Sequence, residues 1–183
     1  TRLSLELGGN APVIVLPDPC LVVLVGAAGS GKSTFAARHF APSEVLSSDA
    51  FRERIAGDPA DQAATGAAFA ALHAALSKRL RDRLLTVVDA TSVQAHARRQ
   101  LTRRAAEADV PAIAIVLDLP MTVVLERNAA RSGRVVPEAA VRRQLAELDQ
   151  TLRTGRLETE RFASVVRLGD VAAVDSPRLA RER

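Results

Sequence analysis

An apolar pentapeptide, Leu21–Val25, runs directly into Gly26-Ala27-Ala28-Gly29-Ser30-Gly31-Lys32-Ser33. A strand-length run with no polar residue suits a strand buried on both faces, as in parallel sheets. The octapeptide is the pattern G-x-x-x-x-G-K-[ST], with a strand before it and a helical pattern over 32–40 after it. Its glycines let backbone N–H groups converge on phosphate oxygens without a Cβ in the way. The helix that opens at Lys32 adds the positive end of its dipole. The pattern predicts a cradle for a nucleoside triphosphate and Mg²⁺, formed by Gly26, Ala27, Ala28, Gly29, Ser30, Gly31, Lys32, Ser33 and Thr34. In it Lys32 reaches the β- and γ-phosphates and the Ser33 hydroxyl ligates the metal. The loop does not specify what receives the phosphate.

Strand-length apolar runs alternate with helical patterns along the rest of the chain, which predicts βαβ units. Further strands are expected at 44–46, 85–88, Ala112–Leu117 and Ser164–Leu168. Helices are expected at 32–40, 50–56, 63–83, 94–108, 120–131 and 137–154. On the longest, Phe69, Leu72, Leu76 and Leu80 form one stripe. The fold class is therefore α/β: a three-layer α/β/α domain with a parallel sheet of about five strands and a helical, arginine-bearing lid over 127–145. Residues 1–183 read as one domain. The segment 3–16 carries two apolar runs around Gly8-Gly9-Asn10 and reads either as a hairpin added to the sheet or as a loose extension. A weaker pattern follows residue 168.

Composition narrows the function classes. One cysteine, Cys20, excludes a disulfide framework within the chain and fits a buried strand residue in a reducing compartment. No apolar run reaches membrane-spanning length and no secretory pattern is visible, so a cytoplasmic location is expected. The chain begins at Thr1, which reads as a fragment or a processed product. The net charge is +4, and Lys32 and Lys78 are the only lysines. A basic domain suits anionic partners, but many of its arginines are expected to be solvated helix surface. With five Phe and no Tyr or Trp, a platform of stacked rings for single strands is not expected.

Ligands of open α/β sheets bind beyond the carboxyl ends of the strands, and Asp49 and Asp89 stand at two such ends. Asp89 closes Thr86-Val87-Val88 in the manner of an acid that holds Mg²⁺. Asp49 is then the candidate to orient an acceptor hydroxyl and take its proton. The two roles can be exchanged, and Asp49 or Ser48 can instead cap the helix 50–56. Arg52 is one turn beyond Asp49 on the same face, suited to an acceptor phosphate or to pairing with Asp49. Arg127, Arg131 and Arg134 flank Ser132-Gly133 between two helices. They read as lid arginines over a transferring phosphoryl group or as solvated helix ends. His39, His73 and His96 lack metal-ligand spacing; His73 reads as packing or surface.

Several elements recur together: the loop 26–33, Ser47-Ser48-Asp49 with Arg52, and Asp61-Gln62 with Thr65-Gly66-Ala67-Ala68-Phe69 and Leu72-His73. Ser77-Lys78-Arg79-Leu80, Leu85-Thr86-Val87-Val88-Asp89-Ala90-Thr91, and Glu126-Arg127-Asn128 with Arg131 and Arg134 complete the set. In this order the chain resembles the 5′-polynucleotide kinase domain of bacterial polynucleotide kinase-phosphatase, over 21–166. The resemblance implies ATP as donor, with Lys32 and Ser33 on its β/γ-phosphates and Mg²⁺. It implies Asp49 as general base for a 5′-hydroxyl of single-stranded RNA or DNA, and Arg52 on the phosphate 3′ to the reacting nucleoside. Arg127 and Arg134 would act on the ATP phosphates, with Arg131 near the base. The chain departs from the family at Ala50-Phe51 and at Ala139-Ala140, and residues 1–183 read as the kinase domain alone, either an excised domain, a standalone homologue or a relative turned to another alcohol.

The leading expectation is an ATP-dependent kinase of nucleic-acid 5′-hydroxyl ends. A kinase of a small alcohol (sugar, nucleoside or antibiotic) and a nucleotide-binding regulatory module are the rivals.

Overall fold

A computed structural model describes residues 13–56, 65–132 and 135–182. The expected segments at 1–12, the loop 57–61 with Asp61-Gln62, and Gly133 and Arg134 of the lid lie outside the described residues. The elements run β1 (Val13–Pro17), β2 (Leu21–Val25), α1 (Lys32–His39), β3 (Val45–Ser47), α2 (Ser48–Ala56) and α3 (Thr65–Arg81). Then follow β4 (Thr86–Asp89), α4 (Ala95–Glu107), β5 (Ala112–Leu117), α5 (Met121–Ala129), α6 (Glu138–Arg153), β6 (Ser164–Leu168), α7 (Val171–Asp175) and β7 (Arg178–Glu182).

Five strands form one parallel sheet in the order β3-β4-β2-β5-β6. Alternation along the central strands divides the core. Val22 and Leu24 of β2, Val87 of β4 and Ile113 and Ile115 of β5 pack with Phe35 of α1 and Val124 of α5 on one face. Leu21, Val23 and Val25, Val88, Ala112 and Ala114 pack with Leu72, Leu76 and Leu80 of α3 and Leu101 of α4 on the other. All five residues of β2 are buried, which is why this strand carries no polar residue. Helices on both faces make the three-layer α/β/α arrangement.

Register explains where a site must lie. Leu24 of β2 and Ser47 of β3 both pair with Asp89, so three strands end level with one another. The chain leaving β2 becomes the glycine-rich loop, and the chain leaving β3 becomes Ser48-Asp49.

Two expectations are corrected. Strand β3 spans Val45–Ser47 and not 44–46, because Pro42–Glu44 form a turn of 3-10 helix ahead of it. The N-terminal segment adds no hairpin to the main sheet in its described part, and β1 is not loose. It pairs in parallel with β7, from Val13↔Arg178 to Pro17↔Glu182, as a separate two-stranded sheet. Ile14 and Leu16 are buried against the core, and Arg181 holds both oxygens of Glu44 at 2.7 and 2.8 Å. The pattern after residue 168 is weak because α7 and β7 are five residues each; β7 is held by its pairing with β1, and α7 buries Val174 in the core.

Candidate phosphate-binding cleft

The loop between β2 and α1 is shaped by two left-handed glycines. Gly29 has φ +89°, and a Cβ there would stand 2.4 Å from the Val124 carbonyl oxygen; Gly31 has φ +93°. No L side chain fits the first position, so α5 approaches the loop directly. Its first residue is tied down by Gly26 N–H donating to Thr91 O at 3.1 Å.

Lys32 is almost fully buried, and its ammonium donates to the carbonyls of Gly26 (2.9 Å) and Ala27 (2.8 Å). Burial pulls its pKa down to about 8; Asp89 and Asp49 oppose that shift and Arg131 adds to it. Asp89 is the last residue of β4 and is buried. Burial raises its pKa, and a hydrogen bond from Ser33, the Lys32 charge and Arg131 pull it back while Asp49 adds to the rise. The predicted metal pair, Ser33 and Asp89, lines one cleft. Two hard oxygen donors next to a phosphate cradle suit Mg²⁺, which takes one or two protein ligands and completes its shell with phosphate and water. Among the described residues no cluster of three or more His, Cys, Asp or Glu competes for a metal.

The alternative that Asp49 caps a helix over 50–56 is overturned. α2 begins at Ser48, so Asp49 lies inside its first turn, and Ser47 Oγ accepts from Ala50 N–H at 3.4 Å. Asp49 pairs with Arg52, whose side chain is 12% exposed against 48% for the carboxylate. The carboxylate keeps a face toward the cleft while the arginine beneath it is largely shielded. Arg52 also donates to Ser48 Oγ at 3.4 Å.

Arg127 leans over the loop: its Nη1 would stand 3.3 Å from a Cβ at Gly31. Its Nη2 pairs with Asp175 at 3.2 Å, and Arg38 donates to the carbonyl of that aspartate. Arg131 is exposed just beyond α5 and lines the same cleft. The buried Asn128 crosses the base of the arginine segment, donating to Val136 O (2.8 Å) and accepting from Val136 N–H (3.2 Å). Arg134 lies outside the described residues.

These groups line one cleft of about 1090 Å³. Lys32, Ser33, Asp89, Asp49, Arg52, Arg127 and Arg131 all line it. Sequence reasoning missed others. Gln144 of α6 accepts from Ala28 N–H at 2.9 Å. Asp175 comes from the tail, and Arg38 and Arg143 were hidden among many arginines. His73, read as packing or surface, is half-buried on the cleft wall, 6.2 Å from the Phe69 ring. Burial lowers its pKa, helped by Arg104 and Arg103. The wall is set by Arg98, fully buried on α4. It grips Glu160 at 2.5 and 2.8 Å and donates to the carbonyls of Ser92 (2.9 Å) and Val93, so it fixes the loop that follows Asp89.

Fold and site together define a P-loop kinase architecture. The model of the family described as AAA domain matches residues 21–151, well over half of the chain, and the chain belongs to that family. No curated protein sequence matches it significantly. Among solved structures, a chain in the Pnkp1/Rnl/Hen1 RNA repair complex is similar at 25% identity and TM-score 0.59, covering 74% of this chain and 46% of its own. This chain thus spans about half the length of that relative. Shikimate kinase from Acinetobacter baumannii, in complex with shikimate, is similar in fold at 24% identity and TM-score 0.51, covering 86% and 88%. A gluconokinase from Sinorhizobium meliloti 1021 is similar in fold at 21% identity and TM-score 0.50, covering 84% and 83%. Among the described residues no helix is long and apolar enough to cross a membrane.

Proposed function

We propose that the chain is an ATP-dependent phosphotransferase whose acceptor is the 5′-hydroxyl end of single-stranded RNA or DNA. The observation that carries the proposal is the half-exposed Asp49 carboxylate, backed by Arg52, in the same cleft as Lys32 and Asp89. In the proposed reaction the acceptor oxygen attacks the γ-phosphorus. The bond from that phosphorus to the β–γ bridging oxygen breaks, ADP leaves, and the hydroxyl proton passes to Asp49. Lys32 meets the β- and γ-phosphates from below the loop, and Arg127 covers the transferring group from α5, while the resemblance implies Arg134 on the same phosphates and Arg131 near the base. Ser33 and Asp89 would hold Mg²⁺, which when bound neutralises charge on the β- and γ-oxygens.

The nucleic-acid acceptor draws support from the 25% identical chain of an RNA repair complex and from Arg52 beside the proposed base, a guanidinium suited to the phosphate of a strand. The test is incubation with Mg²⁺, γ-labelled ATP and a 5′-hydroxyl oligonucleotide. Label on the 5′ end is the expected result. ATP consumption that rises with a sugar or another small alcohol but not with oligonucleotide would move the acceptor to the small-molecule class.

A further inference from the structure

Two side chains grip one peptide of the phosphate loop from opposite edges. The carbonyl of Ala27 accepts from Lys32 Nζ at 2.8 Å, and the N–H of Ala28 donates to Gln144 Oε1 at 2.9 Å. Those two groups belong to the same trans peptide plane and point in opposite directions. An ammonium has three donors. Lys32 commits two of them to Gly26 O and Ala27 O, so the orientation of this peptide sets where the third is aimed. Ala28 is 8% exposed, and its N–H is held by a protein acceptor. That partner comes from 116 residues away, on the helix that follows the arginine segment. Ala140, Gln144 and Glu147 all line the cleft, as the i, i+4 and i, i+3 spacing on one helix face requires.

We propose that Gln144 is a positioning residue for phosphoryl transfer. It holds the Ala28 N–H, fixes the Ala27–Ala28 peptide, and through that carbonyl fixes the aim of the Lys32 ammonium. By this route α6, one wall of the cleft, is tied to the donor phosphates. The rate effect rests on the phosphotransferase reading above; the effect on the loop does not.

Two variants separate the contributions. Gln144→Leu keeps volume and removes the acceptor. Gln144→Glu keeps an acceptor oxygen and adds a negative charge beside the donor phosphates. Hydrogen exchange at the Ala28 amide, followed by NMR on the whole chain without ligand, is expected to quicken roughly tenfold in Gln144→Leu, the factor one hydrogen bond supplies, and to stay near wild type in Gln144→Glu. ADP formation is measured with and without oligonucleotide. Gln144→Leu should lower kcat by roughly tenfold with KM for ATP within about threefold. Gln144→Glu should keep kcat and raise KM for ATP. Wild-type Ala28 exchange together with wild-type kcat in Gln144→Leu would overturn the inference, as would a loss confined to KM for ATP. A wild-type protein that forms ADP but labels no oligonucleotide would fail the acceptor reading alone.

Discussion

The two halves of the cleft are built differently. The donor half is a single loop with short-range internal bonds and a few distant tethers: Lys32 bonds to carbonyls five and six residues before it, left-handed glycines flank Ser30, and Thr91 and Gln144 hold Gly26 and Ala28 from outside. It is buried and closely wired. The half proposed for the acceptor is assembled from α2, α3, α4 and α6, and its carboxylate is about half exposed. Local wiring makes a binding element that survives transfer between proteins. Distributed walls make an element free to change its substrate, which fits a shared fold among kinases of dissimilar acceptors.

That contrast can be broken by substitution, beginning with the donor half. Lys32→Met is expected to reduce phosphoryl transfer on the order of 10²–10³-fold and to weaken ATP binding, measured by calorimetry. Equal ATP affinity in the variant would remove Lys32 from the donor site. Next in size is the support of the acceptor wall. Arg98 and Glu160 are 0% and 1% exposed, so Glu160→Gln or Arg98→Met strands a buried charge and should cost about 3–5 kcal/mol of unfolding free energy, read by denaturant titration. A cost under about 1 kcal/mol would mean that water reaches the pair. Arg52→Ala should raise KM for the acceptor by roughly tenfold and leave KM for ATP unchanged; a shift in the ATP value would assign Arg52 to the donor side. The smallest effect is at Cys20, whose thiol burial pushes up to about 12. It should resist thiol reagents at pH 8 until the chain unfolds, and rapid labelling of the native protein would contradict its burial.

The same contrast explains what the sequence made legible. The bounds expected for Ala112–Leu117 match β5 because an apolar run between Pro111 and Asp118 leaves little freedom, and those for Ser164–Leu168 match β6, which ends at Gly169. Asp49 and Asp89 could be found because strand ends are visible locally: Asp89 closes β4, and Asp49 follows two residues after Ser47, which pairs with Asp89 in the register. The alternatives that the sequence left open at Asp49 and Arg52 needed coordinates: the cap falls to Ser47, and the pair forms. Gln144, Asp175 and His73 were not legible. Their roles come from contacts across 48 to 116 residues or from facing the cleft, and a Gln or Asp on a helix looks the same in sequence whether it meets water or a phosphate loop. The pairing of β1 with β7 was hidden for the same reason, since it joins the two ends of the described chain.

The central claim is that Asp49 serves the acceptor and not the donor. Transfer from γ-labelled ATP to a 5′-hydroxyl oligonucleotide, compared between the wild type and Asp49→Ala with ATP affinity measured alongside, tests it most directly. The account predicts unchanged ATP affinity with transfer reduced on the order of 10²–10⁴-fold. Transfer by Asp49→Ala at the wild-type rate would contradict it.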